Sequence, residues 1–197
     1  MMFLWIFLLI AVIIGAWLIG VYNGLIKAKN RTDEAWSDID IQLKRRHDLI
    51  PNLVATVQGY ATHESTVFTQ VAEARSQAMQ AKSIDDKIAS ENQLMGTLKS
   101  LFAIAENYPQ LKANENFLQL QTELADTENK IQASRRFYNG NVRDFNTRLQ
   151  VFPTNLIAGM LSFKAYAFFE AAEQEKTVPQ VKFTTEAPTE PPVQPQA

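Results

Sequence analysis

The chain has 197 residues, room for one folded unit with appendages, and carries a formal net charge of -2 with a pI near 5.7. Its longest block of like charge is Lys44-Arg45-Arg46, too short to capture a polyanion, so nucleic acid is not an expected partner. The absence of cysteine removes disulfides, thiolate metal sites, lipoprotein anchoring and cysteine nucleophiles together.

From Met1 to Ile26 there is no Asp, Glu, Lys, Arg or His, and Leu, Ile, Val, Phe and Trp dominate. As a helix this run is roughly 39 Å long, enough to cross a hydrocarbon core of about 30 Å with some tilt. Trp5 and Tyr22 are candidate interfacial anchors, whereas Trp17 lies too deep. A cleaved signal peptide would need a basic start, a shorter apolar run and a small-x-small site, and none is present. Residues 1–26 are therefore expected to be a transmembrane anchor in the bilayer. Cationic flanks tend to stay in the cytoplasm, and Lys27, Lys29, Arg31, Lys44, Arg45 and Arg46 all follow the run, which places the N-terminus outside and the remaining domain inside.

From Arg31 onward the apolar residues step by three and four: Trp36, Ile39, Leu43, Ile50, Leu53, Val57, Tyr60, Val67, Val71, Ala74, Ala78. If unbroken to Lys82, this helix would measure on the order of 75 Å. Within it lies Arg45-Arg46-His47-Asp48-Leu49-Ile50-Pro51-Asn52. Pro51 has no N–H to give the carbonyl of His47, which is left to water, a side chain or a partner, and a kink is expected there. Asp48 and Asn52 are near enough to reorganise around that opening. His63 and Glu64 are adjacent in sequence, point to different faces of a helix and do not by themselves make a metal pair.

A second helix is expected over Ile84, Ile88, Leu94, Leu98, Leu101 and Ala105, with Ser83 as its N-cap and Asp85 and Asp86 in its first turn. Tyr108-Pro109 stops it, as an interhelical turn or a buried aromatic closing the bundle end. The third helix carries the cleanest heptads: Phe117, Leu120, Leu124, Thr127, Ile131, Ser134, Tyr138, Val142, Phe145, Leu149 and Phe152. Glu123, Asp126, Glu128 and Lys130, with Arg135 and Arg136, read as its exposed face. Pro153 breaks the run, and Leu156 to Phe163 read as a short fourth element packing on the end of the bundle. No strand pattern competes.

The predicted fold class is all-α: an N-terminal transmembrane helix, then an elongated antiparallel bundle of three long helices plus a short C-terminal helix, over residues 27–172. Residues 173–197 hold five of the eight prolines and cannot bury enough apolar surface to offset their ordering entropy, so they read as a disordered tail, or as a polyproline II ligand. No H-E-x-x-H, G-x-S-x-G, Walker or dinucleotide pattern occurs, so neither a cofactor nor an enzyme activity is expected.

The runs RRHDLIPNLVATVQGYATHE and YPQLKANENFLQLQTELADTENKIQASRRFYNGNVRDFN resemble the LemA family of bacterial membrane proteins, and the likeness reaches from the anchor to about Ala167. The resemblance implies a long antiparallel bundle at the inner membrane and no established catalytic activity; one branch of the family is associated with magnetosome membranes. The positions that match its pattern are Arg46, Asp48, Leu49, Ile50, Pro51, Asn52, Tyr60, His63, Glu64, Tyr108, Pro109, Leu111, Tyr138, Asn139 and Asn146. From these readings the candidate contact residues are Arg46, Asp48, Pro51, Asn52, His63, Glu64, Tyr108, Pro109, Arg136, Tyr138 and Asn139. The expected function is a noncatalytic membrane scaffold that presents a helical surface to a protein partner or to a second copy. The alternatives are a lipid-organising protein, acting through Lys27, Lys29 and Arg31, and a bundle that binds a ligand or metal through His47, Asp48, His63, Glu64 and acids of the third helix.

Overall fold

A segment with no charged residue and a following amphipathic stretch meet here without a break, because nothing between them favours leaving the helix. In the computed structural model, which describes residues 1–169, α1 runs continuously over Met2–Gln58. At 1.5 Å per residue it is about 86 Å long. Its apolar N-terminal window is long enough to cross a membrane and none of it is buried by the rest of the chain. A core helix of a soluble protein would instead be covered.

The remaining elements are α2 (Ser65–Gln80), α3 (Ile84–Glu106), the single turn α4 (Pro109–Lys112), α5 (Glu115–Gln150) and α6 (Thr154–Met160). The all-α class and the elongated form stand, with no strand among the described residues. The stretch read as one helix from Arg31 to Lys82 is two, however. It turns over Gly59–Glu64, and α2 folds back along α1. The expected tail at 173–197, and the last residues of the 27–172 domain, lie outside the described residues.

Caps set the starts of two helices. The Ser83 hydroxyl accepts from the Asp86 amide at 3.0 Å, as the sequence predicts, and the Asn114 side chain accepts from the Phe117 amide at 3.0 Å. Contacts between α1 and α5 run antiparallel, from Gly24 beside Arg148 to Tyr60 beside Asn114. Asp40 pairs with Lys87 at 2.5 Å and Arg46 with Glu91, so α3 runs parallel to α1. The half of the domain distant from the apolar run is thus an up-down-up-down bundle of α1, α2, α3 and α5. Its core is Ile50, Leu53, Val57, Phe68, Val71, Leu94, Leu98, Leu101, Phe117 and Leu124 with their neighbours.

Below Asp40 the α2–α3 hairpin ends, and another element covers the α1–α5 seam. The chain after α6 returns as an extended strap whose Tyr166 and Phe169 pack on a second cluster of Ala35, Ile39, Leu43, Ile131, Tyr138 and Val142. Two asparagines of α5 hold it by its backbone. Asn139 donates to the Phe169 carbonyl at 2.9 Å and accepts from the Phe169 amide at 2.8 Å, and Asn146 does the same for Tyr166 at 2.9 and 3.0 Å. The spacing fits because seven helical residues advance about 10.5 Å and three extended residues about 10.2 Å. Phe152, expected in the α5 seam, is instead exposed, since α5 has already ended at Gln150. The element expected to pack on the bundle end, α6, lies beside α1 near Gly20 and Gly24.

Candidate functional site

The α1 stripe Ile39, Leu43, Arg46, Ile50, Leu53 and Val57 has one strongly charged member, and α3's stripe Ile88, Glu91, Leu94, Leu98 has another. Helical spacing turns both inward, where an isolated charge would be severely penalised. They meet each other. Arg46 is 1% exposed, and its guanidinium donates to the carboxylate of the fully buried Glu91 through Nη2 and to Glu128 Oε2 of α5 at 2.7 Å through Nη1. The other oxygen of Glu91 lies 2.8 Å from His47 Nε2. Burial pushes the Glu91 carboxyl up, but the His47 hydrogen bond and the Arg46 charge outweigh it and hold the group below its ordinary value of 4.5.

His47 ties this cluster to the proline. Its carbonyl, deprived of a donor by Pro51, accepts from Arg75 Nε of α2 at 2.7 Å, so α1 continues through Pro51 while the open acceptor is satisfied by a neighbouring helix. Four helices therefore converge on residues 46–47. Beside them, a cavity of about 280 Å³ opens between α3 and α5, lined by Met95, Leu98, Phe102 and Leu124 and reaching Arg46, whose Nε has no hydrogen-bond partner.

The candidates chosen from sequence separate into groups that do not assemble. Arg46 is buried, not presented to a partner. Asp48 faces outward, paired with Lys44 at 2.8 Å, and Asn52 and Pro51 are exposed along the same helix. His63 is exposed in the α1–α2 turn, and Glu64 stands at the start of α2 without a side-chain cap bond. His47, Asp48, His63 and Glu64 are thus not brought to one place, and among the described residues no group of three or more His, Asp or Glu is disposed to hold a metal.

Tyr108 precedes α4, with Pro109 at its first position, and packs partly buried against the distal core. Arg136 is exposed on α5. Tyr138 and Asn139 serve the strap. The buried Tyr138 hydroxyl donates to the Ala167 carbonyl at 3.0 Å, and burial pushes its phenol up to about 12, with Tyr166 and Asp33 adding to the shift. Glu128, read as exposed, is turned toward Arg46. Glu91 was not among the candidates at all, although a carboxylate on an apolar stripe is a visible signal. Arg75 carried no local signal, since its partner is 28 residues away.

On the outer face of α1 the chain leaves a seam open. Ile41, Lys44, Arg45, Asp48, Leu49 and Asn52 recur at helical spacing and line a shallow groove of about 490 Å³, with Ile41 58% exposed. Arg45 reaches to 3.9 Å from Asp126 of α5 along one edge.

An exposed apolar helix long enough to span a bilayer, continuous with an α-helical bundle closed by a buried ion cluster, defines a membrane-associated helical-bundle protein. The chain belongs to the LemA family, whose model matches residues 35–183. It is similar to Protein LemA of Metamycoplasma hominis, 30% identical over 162 residues that cover 80% of this chain and 73% of that protein. It is also similar to Magnetosome protein MamQ 2 of Paramagnetospirillum magneticum, 23% identical over 176 residues, and to Magnetosome protein MamQ of Magnetospirillum gryphiswaldense, 21% identical over 174 residues. These alignments cover 76% and 75% of this chain and 64% of each magnetosome protein.

Proposed function

We propose that the protein is a noncatalytic scaffold, anchored in the bacterial inner membrane with its bundle in the cytoplasm, and that it docks a protein partner along the outer seam of α1. The observation that supports this most is the open groove of Ile41, Lys44, Arg45, Asp48, Leu49 and Asn52. It offers apolar anchors at helical spacing flanked by both signs of charge, which suits an amphipathic helix. Ile41 lies 15 residues beyond Ile26, so the seam begins about 22 Å past the uncharged run. Confining both partners to one membrane raises their effective concentration, so a modest contact area suffices. Arg46, His47, Glu91 and Glu128 are meanwhile turned inward and paired with one another, which favours a structural role for these four.

The test is photocrosslinking in cells, with a photoreactive residue at Ile41 or Asn52 of the full chain and a control at Arg136. One discrete adduct from the α1 positions, absent at Arg136, is expected; equal background at all three would overturn the docking face.

A second reading is favoured by the cavity between α3 and α5 together with the unpartnered Arg46 Nε: a small, largely apolar ligand with one acceptor atom. It predicts a stoichiometric mass adduct on the gently extracted protein that disappears in Leu98→Trp, and a clean apo mass would exclude it.

A further inference from the structure

The corner between α5 and α6 exposes an apolar surface that no part of the bundle uses. Phe152 is 78% and Met160 85% exposed, and Val151, Leu156 and Leu161 are exposed beside them. Ile157 and Ala158 of α6 are buried, and Thr154 and Asn155 at its start are half-buried. Exposed apolar residues scattered singly are ordinary, but five of them within eleven residues form a patch.

The position of this patch identifies what covers it. Thr154 shares a cleft with Trp17, Gly20, Val21 and Gly24 of α1, all within the run that carries no charge from Met1 to Ile26. Gly20 and Trp17 lie six and nine residues before Ile26, roughly 9 and 13 Å along the helix. The start of α6 therefore sits alongside the last turns of the uncharged run. At the other end, Leu161 and Phe163 share a cleft with Lys29, back at the first cations. Between these levels Arg148 reaches the Gly24 carbonyl at 3.3 Å, the position of a cation whose stem lies along apolar surface while its head stays with polar groups. Lys27, Lys29, Arg31 and Lys164 surround the same level.

We infer that Val151–Leu161 is a second membrane element: a short re-entrant wedge that enters the bilayer beside α1, with Phe152, Leu156 and Met160 in the acyl region and the surrounding cations among the headgroups. This rests on the reading of residues 1–26 as a bilayer anchor, with which the patch is continuous. Its consequence is mechanical. A single helix leaves a bundle free to rotate about its axis, whereas a second insertion point fixes that rotation and points the α1 seam in one direction along the membrane. The backbone at both ends of the wedge is tied within it, with the Asn155 and Leu156 amides donating to the Val151 and Pro153 carbonyls and the Leu161, Ser162 and Phe163 amides to those of Ile157, Gly159 and Ala158, and Thr154 at its start faces α1, which limits the polar groups carried into lipid.

The chain lacks cysteine, so single cysteines can be introduced and nitroxide-labelled without a background. Phe152→Cys, Leu156→Cys and Met160→Cys are compared with Ile10→Cys and Phe137→Cys in the full chain reconstituted in vesicles of phosphatidylethanolamine and phosphatidylglycerol. The readout is the ratio of collision with oxygen to collision with a nickel chelate. All three wedge sites are exposed, so the labels leave the bundle intact, which unchanged helicity by circular dichroism checks. The expected result is a lipid-like ratio at 152, 156 and 160, matching Ile10 and well above Phe137. Wedge sites that match Phe137 while Ile10 is lipid-like would overturn the wedge alone. A water-like Ile10 would overturn the anchor reading as well. Spin-spin broadening at 152 and 160 that disappears on dilution with unlabelled protein would show a second copy on the patch, and would overturn lipid as its occupant.

Discussion

Replacing Glu91 with alanine removes the group on which the centre of the bundle depends. Arg46 would keep only Glu128, and His47 Nε2 would lose its partner, both at buried positions. Breaking a buried ion pair by deleting one member costs about 3–5 kcal/mol, because the remaining charge stays desolvated. For a domain of this size about 1 kcal/mol shifts Tm by roughly 2–4 °C, so the expected fall is about 6–20 °C. The assay is thermal unfolding of the full chain in detergent micelles, followed by circular dichroism at neutral pH. The double variant Arg46→Met with Glu91→Leu, which removes both charges and fills the space, should lose less than either Arg46→Met or Glu91→Leu alone. Acid provides an independent arm. Glu91 titrates lower in the folded chain than when unfolded, so its contribution is complete above pH about 4.5 and is lost as pH falls through its folded value. The gap between wild type and Glu91→Ala should therefore narrow in acid. A Tm change under about 2 °C, or single costs that simply add in the double variant, would refute the reasoning.

Other consequences can be checked alongside. Arg75→Met leaves the His47 carbonyl unpaired and should cost about 1–3 kcal/mol with faster amide exchange near Pro51, while Pro51→Ala in the same chain restores an N–H for that carbonyl and should recover part of the loss. Asn139→Ala and Asn146→Ala each delete a two-bond clamp, so exchange at the Phe169 and Tyr166 amides respectively should rise while protection in the α2–α3 hairpin is retained. Ile131→Asp, at a fully buried position between the strap and α1, should destabilise by several kcal/mol, read as loss of cooperative melting.

What could be read from the sequence followed from periodicity and caps. The run without charge, the Ser83 cap and the seam from Phe117 to Phe145 each express a local rule, and local rules survive into the structure. The turn at Gly59–Glu64 escaped because α2 resumes the same three-and-four spacing after it, so a reversal of direction left only a gap between Tyr60 and Val67. At Pro51 the open His47 carbonyl was foreseeable, whereas Arg75 as its partner was not, since that pairing requires the hairpin to close. The buried cluster was half legible. Arg46 drew notice as part of a motif, yet its place on an apolar stripe, repeated by Glu91 on α3, was the stronger sign that the two charges meet inside. The strap was legible only as two asparagines one heptad apart, a pattern whose meaning depends on the extended chain that later returns past α6. Of the candidate contact residues, Asp48 and Asn52 remain on an open face, while Arg46, Tyr138 and Asn139 are occupied within the fold.

The most direct test of the scaffold reading compares the full chain with its Ile41→Asp, Lys44→Asp double variant, each expressed in membranes with a photoreactive residue at Asn52. Ile41 is 58% and the Lys44 side chain 77% exposed, so these substitutions alter the open seam without entering the core, and Tm should stay within about 4 °C of wild type. The account predicts that the wild-type chain gives one discrete adduct and that the double variant loses it while remaining folded and in the membrane. An adduct pattern unchanged by the two aspartates would contradict docking along this face of α1.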